Sequence, residues 1–393
     1  MSNLTLNRPS LSNIFKSFLR LGITSFGGPA IIKYIHRMSV EKNHWLSEET
    51  FKNGVALCQM IPGATAMQMS AYVGLKLRGV RGAAVSFVGF AFPAFILMTV
   101  LSALYVKYHN LPMIISLFMG LRAIIIAIIA YAAISFGISY LKKWKDIIIA
   151  ALAAAMFYFG ANPVLVILTS VILGLLLYKN KNNPNLINFT NDTKNYAKPI
   201  ALIFSFIIIM FIILFFLNRK LFELATLMFR IDLFAFGGGF AAAPLMYHEI
   251  VDVRSWMPGN IFLDGFALGQ ITPGPVIITA TFIGYLLNGL IGAIIATISI
   301  FTPSFLMVIG ISPQFDRIKI LPYFKIAING ILSSFVGLLF SVFIKFALNI
   351  QWNFILVSLA SIAFILLLLK IDTLWIVLGS IAISMILKLL NVL

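Results

Sequence analysis

The chain carries little charge and almost no cysteine. Charged residues make up 10% of its 393 positions and hydrophobic residues 61%, whereas a soluble domain carries roughly 25% charged residues. That composition cannot cover a water-facing surface, so the bilayer is the expected solvent. The single cysteine, Cys58, lies in an apolar run. It excludes an internal disulfide and reads as a small buried hydrophobe. No Walker loop is present, which excludes ATP-driven pumping by this chain. No Cys/His cluster offers a metal site and no nucleophile is patterned with a base, so neither metal, cofactor nor enzymatic activity is expected. The chain does not open on a charged n-region, short apolar h-region and small-residue cleavage site, and no removable signal peptide is expected. A formal charge of +17 would point to nucleic acid in a soluble protein. Here the basic residues fall mostly in short connections between apolar runs, which is a membrane-topology signal instead, and no nucleic-acid partner is expected.

What is present is apolar length. Residues 83–106, 113–141 and 352–369 are each apolar for about the distance that spans a bilayer. The pattern predicts an all-α polytopic membrane protein with thirteen spans, near 14–36, 53–75, 83–106, 113–140, 147–160, 162–178, 199–217, 223–246, 261–286, 289–311, 324–347, 352–369 and 372–391. The pair 147–160 and 162–178 is short, and reads either as two tilted spans or as one broken hairpin. If the spans alternate from a cytoplasmic N-terminus, most lysines and arginines, among them Lys76, Arg78, Arg81, Lys142, Lys143 and Lys145, fall on the cytoplasmic side. That bias places the N-terminus inside and the C-terminus outside, in the cell membrane.

The sequence repeats itself. "LCQMIPG" at 57–63 returns as "LGQITPG" at 268–274, and "FLRLGITSFGG" at 18–28 as "MFRIDLFAFGG" at 228–238. Trp45 matches Trp256, Phe51 matches Phe262, and "GVRGAAVSFVGFAFPAF" at 79–95 matches "GLIGAIIATISIFTPSF" at 289–305. The offset stays at 210 or 211 throughout. Chance likeness between apolar segments would not keep register across glycines, prolines and a tryptophan, so this is a duplication. The first copy is assigned to residues 1–178, a polar linker and connector helix to 179–220, and the second copy to 221–393. Six spans plus one connector turn the second copy upside down. Inverted repeats are a hallmark of secondary transporters, whose substrate sits near the midplane at the repeat interface.

Each copy contains two neighbouring interruptions. Gly27-Gly28 breaks one span of the first copy and Gly237-Gly238 its equivalent; Gln59-x-x-Pro62-Gly63 breaks the next, and Gln270-x-x-Pro273-Gly274 its equivalent. Non-helical backbone is tolerable at membrane depth only where protein or a water-filled cavity satisfies it. The half-helix after each break presents free N–H groups and a positive dipole end, which suits an anion. Taken singly, such breaks are more often packing glycines and kinking prolines; recurrence in register favours function. Of the charges within spans, Arg122 is expected to contact substrate or form an ion pair. Arg20 and Arg230 either snorkel to the interface or touch the anion. Asp232 and Asp264 either pair with an arginine or accept a coupling proton.

At these residues the chain resembles the chromate ion transporter family in its long form of two fused halves. "FGGPAIIKYIHRMSVEKNHWLSEETF", "ALCQMIPGATAMQMSAYVG" and "LRGVRGAAVSFVGFAFPAF" carry the resemblance in the first copy. "FAFGGGFAAAPLMYHEIVDVRSWM" and "FLDGFALGQITPGPVIITATFIGY" carry it in the second. One departure is Ala64, where Pro275 stands in the second copy. The resemblance implies chromate efflux and chromate resistance, with sulfate as a structural analogue. A secondary transporter exporting chromate or a related oxyanion is the leading expectation. A passive anion channel, or a transporter of another anion such as sulfate, is the alternative. A scaffold or sensor fits less well, since no soluble domain is present. The lipid bilayer is the other expected partner, and a homodimer is left open.

Overall fold

The computed structural model describes residues 9–26, 30–178, 197–315 and 322–390, and among these every regular element is helical. The linker 179–196 and the glycines Gly27 and Gly28 lie outside the described residues. The first copy builds α1 (Leu11–Thr24), α2 (Ala30–His36), a π-helical turn (Arg37–Lys42), α3 (Glu48–Met60), α4 (Thr65–Tyr108), α5 (Pro112–Tyr140), α6 (Trp144–Tyr158) and α7 (Pro163–Leu177). The connector is α8 (Ala197–Leu217). The second copy builds α9 (Arg219–Phe234), α10 (Gly239–Tyr247), a second π-helical turn (His248–Val253), α11 (Gly259–Ile271), α12 (Thr279–Ile311), α13 (Pro322–Leu348), α14 (Phe354–Leu368) and α15 (Thr373–Leu389). The long apolar elements α4, α5, Val276–Gln314 and Tyr323–Leu348 can each cross a membrane.

The duplication is legible atom by atom. Arg78 and Gly79 leave helical geometry inside α4, and Asn288 and Gly289 do so inside α12. Each long helix therefore folds back on itself. A Cβ on Gly74 would lie 2.2 Å from the Gly82 carbonyl oxygen, and one on Gly284 would lie 2.3 Å from that of Gly292. Small residues let the two arms touch backbone to backbone, which is how helices associate where lipid removes the hydrophobic driving force. The Ser86 hydroxyl bridges the first hairpin by donating to the Ser70 carbonyl at 2.8 Å; Thr281 and Thr297 meet at 2.7 Å in the second.

One expectation changes and one open reading is narrowed. Residues 37–50 and 248–260 read as loops, because polar residues interrupt the apolar pattern. Each instead begins with a π-helical turn and closes on a left-handed non-glycine residue, His44 (φ 49°) and Ser255 (φ 52°). The N–H groups of Trp45 and Trp256 then donate back to Ser39 and Ile250, at 2.8 Å each. The uncertain segment 147–178 is two helices, α6 and α7, with Asn162 capping α7. At 15 residues each is about 22 Å long, shorter than a bilayer core of roughly 30 Å.

The compact units are not the sequence copies. One unit gathers Met1–Thr99, Ile187–Gly239 and Thr272–Ile318; the other gathers Val100–Leu186, Phe240–Ile271 and Lys319–Leu393. In the first, α9 of the second copy packs along α12 and the connector α8. In the second, α13 lies on α6 and α7 of the first copy, while α5 lies on α14 and α15 of the second. The contacts are again made by glycine: a Cβ on Gly337 would lie 2.3 Å from the Ala150 carbonyl oxygen, and one on Gly120 would lie 1.9 Å from Ser384 Oγ.

Candidate functional site

The breaks of the first unit are stitched to each other across the copies. The N–H of Gly63 donates to the carbonyl of Ala235 at 3.0 Å, and the N–H of Gly274 donates to that of Ser25 at 2.8 Å. Ser25 and Ala235 are equivalent residues, each two positions before a Gly-Gly pair. Each Pro-Gly break thus reaches the break of the other copy. Gly63 and Gly274 hold φ at 115° and 107°, a region open to glycine and costly for other residues. That backbone turn aims the amide at the opposite copy. The sequence suggested these amides as anion donors; in the structure both serve the scaffold.

The near-symmetric crossing carries one asymmetric polar cluster. Asp232, on the last turn of α9, accepts the N–H of Ser304 on its Oδ2 at 2.8 Å. Ser304 Oγ accepts the N–H of Ala64 at 3.0 Å. Gln68, on the first turn of α4, donates its side-chain amide to the carbonyl of Pro62. All three side chains are fully buried. Their counterparts in the other copy are Gly22, Ala94 and Ile278, so the cluster exists once. Among the described residues, two acceptors in it, Asp232 Oδ1 and Gln68 Oε1, meet no donor at hydrogen-bonding geometry. Gly63 forms its floor: a Cβ there would lie 2.1 Å from Ser304 Oγ, 2.7 Å from Gln68 Nε2 and 3.2 Å from Asp232 Oδ1.

The other expected residues are distributed unevenly. Pro62, Pro273 and Gly238 are buried and Gly237 is half-buried. A Cβ on Gly238 would sit 3.0 Å from Thr65 Oγ1, so the second Gly-Gly pair faces the start of α4. Gln59 is exposed on the last turn of α3, whereas Gln270 is buried with an unpartnered Nε2. The two glutamines therefore differ despite equivalent positions. Arg20 is exposed on α1 and Arg230 half-buried on α9.

In the second unit Arg122 finds an acid 142 positions away. Its Nε donates to Asp264 Oδ1 at 2.6 Å and its Nη2 to Oδ2 at 2.7 Å. The Tyr105 hydroxyl donates to the same Oδ2 at 2.8 Å, and its ring stacks on His109. A planar fork bound twice to a carboxylate is the strong form of ion pair. Of the two acids singled out in the sequence, Asp264 pairs with arginine, whereas the described residues around Asp232, which are Ser304, Ala64, Gly63 and Gln68, are uncharged. Sequence reasoning missed Gln68 and Ser304. A glutamine five residues beyond the Pro-Gly break, between Met67 and Met69 in a largely apolar helix, was the available signal.

The pattern of the chromate transporter family matches the chain twice, over residues 12–175 and 222–385. The chain belongs to the chromate transporter family. The two matches fall on the two sequence copies and leave the linker and all of α8 between them. Among its relatives is an uncharacterized transporter of Methanocaldococcus jannaschii, 41% identical over 96% of this chain and 94% of that protein. A probable chromate transport protein of Synechococcus elongatus is 33% identical over 84% of this chain and 82% of its own length. A chromate transport protein of Cupriavidus metallidurans is 30% identical over 84% and 80% respectively. No solved structure matches this chain.

Proposed function

We propose that this chromate transporter family member is a secondary transporter that exports chromate, or a closely related oxyanion such as sulfate, across the cell membrane by alternating access. The anion is held at the broken-helix ends, with the two copies inverted about the connector α8 and the N-terminus in the cytoplasm. The observation that supports this reading best is the stitched crossing: two different breaks recur in both copies, and Gly63 and Gly274 bind each break to the other copy. A crossing built that way can shift as a body between two arrangements, which alternating access requires.

A dianion in a low-dielectric span needs compensating donors. Within the first unit these are Gln59, the helix starts that follow Pro62-Gly63 and Pro273-Gly274, and the backbone of Gly27, Gly28, Gly237 and Gly238. Gln270 offers a buried amide with a free donor. Arg122, already neutralised by Asp264, is assigned to the ion pair first and to substrate second.

The test is chromate and sulfate flux in proteoliposomes, comparing wild type with Gln59→Leu, Gln270→Leu and Gly238→Ala. A hydrogen bond to a charged ligand is worth about 1.5–3 kcal/mol, so each Leu variant should raise the half-saturating concentration roughly ten- to hundredfold. Unchanged saturation in all three variants would remove the breaks from the substrate path.

A further inference from the structure

We propose that the cleft between α4, the connector α8 and α12 holds one acyl chain of an anionic phospholipid, whose phosphate is bound between Arg81 and Lys198. The inference concerns a second ligand and does not depend on which anion the protein transports.

The cleft belongs to the first unit and has a volume of about 540 Å³. Among the described residues its only polar lining is Thr297 and Thr302. Both hydroxyls are already spent on their own helix, donating to the carbonyls of Ala293 and Ile298 at 2.6 Å each. The walls therefore offer an oxyanion nothing and suit hydrocarbon. Val88, Phe92 and Ile298 on the rim are exposed, so the cleft opens to the lipid side. Its shape decides between a lipid chain and a helix of a second copy. The α4 wall runs from Ala84 to Phe95, about 16 Å at the helical rise. Spread over that length, the volume leaves a cross-section of about 33 Å². A helix with side chains is about 10–12 Å across and needs more than about 75 Å². A single extended acyl chain is thin enough to enter.

Charge at one end of the cleft selects the headgroup. In the first copy α1 runs in the same direction as the second arm of α4, with Pro9 at Arg78 and Gly22 at Pro93. Its equivalent α9 likewise ends with Asp232 at Ser304 of α12. The connector α8 doubles back on α9 through Asn218, so that Phe211 meets Phe222 and Phe229. The first turn of α8 thus lies towards Phe305, the residue whose ring meets Phe87 of α4 at 5.1 Å. Lys198 stands five residues before the cleft on α8, and Arg81 three residues before it on α4. Both are exposed and both fall at the Phe305 end. At the other end α12 carries no charge at all, and the next cations lie twelve residues past Phe95 and nine past Met210. A basic pair at the membrane-surface end of an apolar groove is what an anionic lipid recognises, and the arginine fork fits its phosphate.

The experiment uses the full-length protein extracted from vesicles of equal phosphatidylglycerol and phosphatidylcholine with identical chains, and weighs it intact with its retained lipid by native mass spectrometry. Wild type should keep one phosphatidylglycerol in clear preference to phosphatidylcholine. Each cation near an anionic surface is worth about 1 kcal/mol, so Arg81→Gln with Lys198→Gln should weaken phosphatidylglycerol retention roughly thirtyfold and leave no preference between headgroups. Ala91→Trp fills the cleft without touching either cation and should lose the retained lipid of both kinds, with its melting temperature confirming the fold. A lipid-free wild type, equal retention of the two lipids by wild type, or unchanged selectivity in the double variant would each overturn the proposal. So would a wild-type dimer that Ala91→Trp dissolves, which would assign the cleft to a second copy. If Ala91→Trp fails to fold, the headgroup preference of wild type and its loss in the double variant decide.

Discussion

Gly63 and Gly274 share one backbone conformation, yet different atoms stand over them. At Gly63 an added methyl meets the Ser304 hydroxyl and the Gln68 amide; at Gly274 it meets the Ala94 methyl at 3.0 Å. Positive φ costs a side-chain-bearing residue about 1–2 kcal/mol. Gly274→Ala should therefore lower stability by about that much in a detergent melting experiment, and Gly63→Ala by clearly more, since Ser304 must also move. Equal melting temperatures for both variants and wild type would contradict the packing described. Arg122 and Asp264 make a second residue-scale test. Removing one partner of a buried pair costs about 3–5 kcal/mol, while replacing both with apolar residues is often neutral. Arg122→Leu alone should destabilise strongly, and Arg122→Leu with Asp264→Leu should recover most of the loss. A stable double variant that no longer saturates with chromate would return Arg122 to the substrate site. Both charges were visible in the sequence; their pairing was not, because no local pattern links positions in α5 and α11. Ser304 was hidden for the same reason: a serine in an apolar helix is ordinary until its backbone is seen to hold Asp232.

At the scale of elements, the interruptions were legible because glycine and proline announce themselves, and because each appears twice. The π-helical turns were not, since widening one helical turn leaves no periodic trace. The first of them is tied to α3 by His36, whose ring lies 3.2 Å from Glu41 and 2.7 Å from Glu48. The hydrogen bond from His36 holds the exposed Glu48 carboxyl below its ordinary 4.5. A lowered carboxyl pKa means the link is present above the unfolded value and is lost as pH falls through the folded one. Amide exchange, corrected for its intrinsic pH dependence, should therefore speed up across residues 37–50 only below about pH 4.5. His36→Ala should show the fast exchange at neutral pH already. Identical exchange in both proteins would remove this tie from the turn.

For the whole molecule, the duplication could be read from spacing alone, but the exchange of elements between copies could not. Helices in lipid choose partners by fit of small residues, and Gly120, Gly330 and Gly337 reveal their partners only once Ser384, Ser170 and Ala150 lie against them. The odd connector α8 predicts that equivalent turns face opposite sides of the membrane. Cys58 is buried, so Asn43→Cys and Ser255→Cys can be labelled over a silent background. Impermeant reagent should reach residue 43 from outside and residue 255 only from the cytoplasmic side; labelling of both from one side would refute the inversion.

The claim on which the rest depends is that these paired breaks move an oxyanion by alternating access. Purified protein in sealed vesicles, given labelled chromate outside and an excess of unlabelled chromate inside, tests it directly. A transporter should accumulate label transiently above the external concentration, and Gly238→Val should abolish the overshoot. Label that only equilibrates, rising smoothly to the external level in wild type, would mark a passive channel and contradict the mechanism.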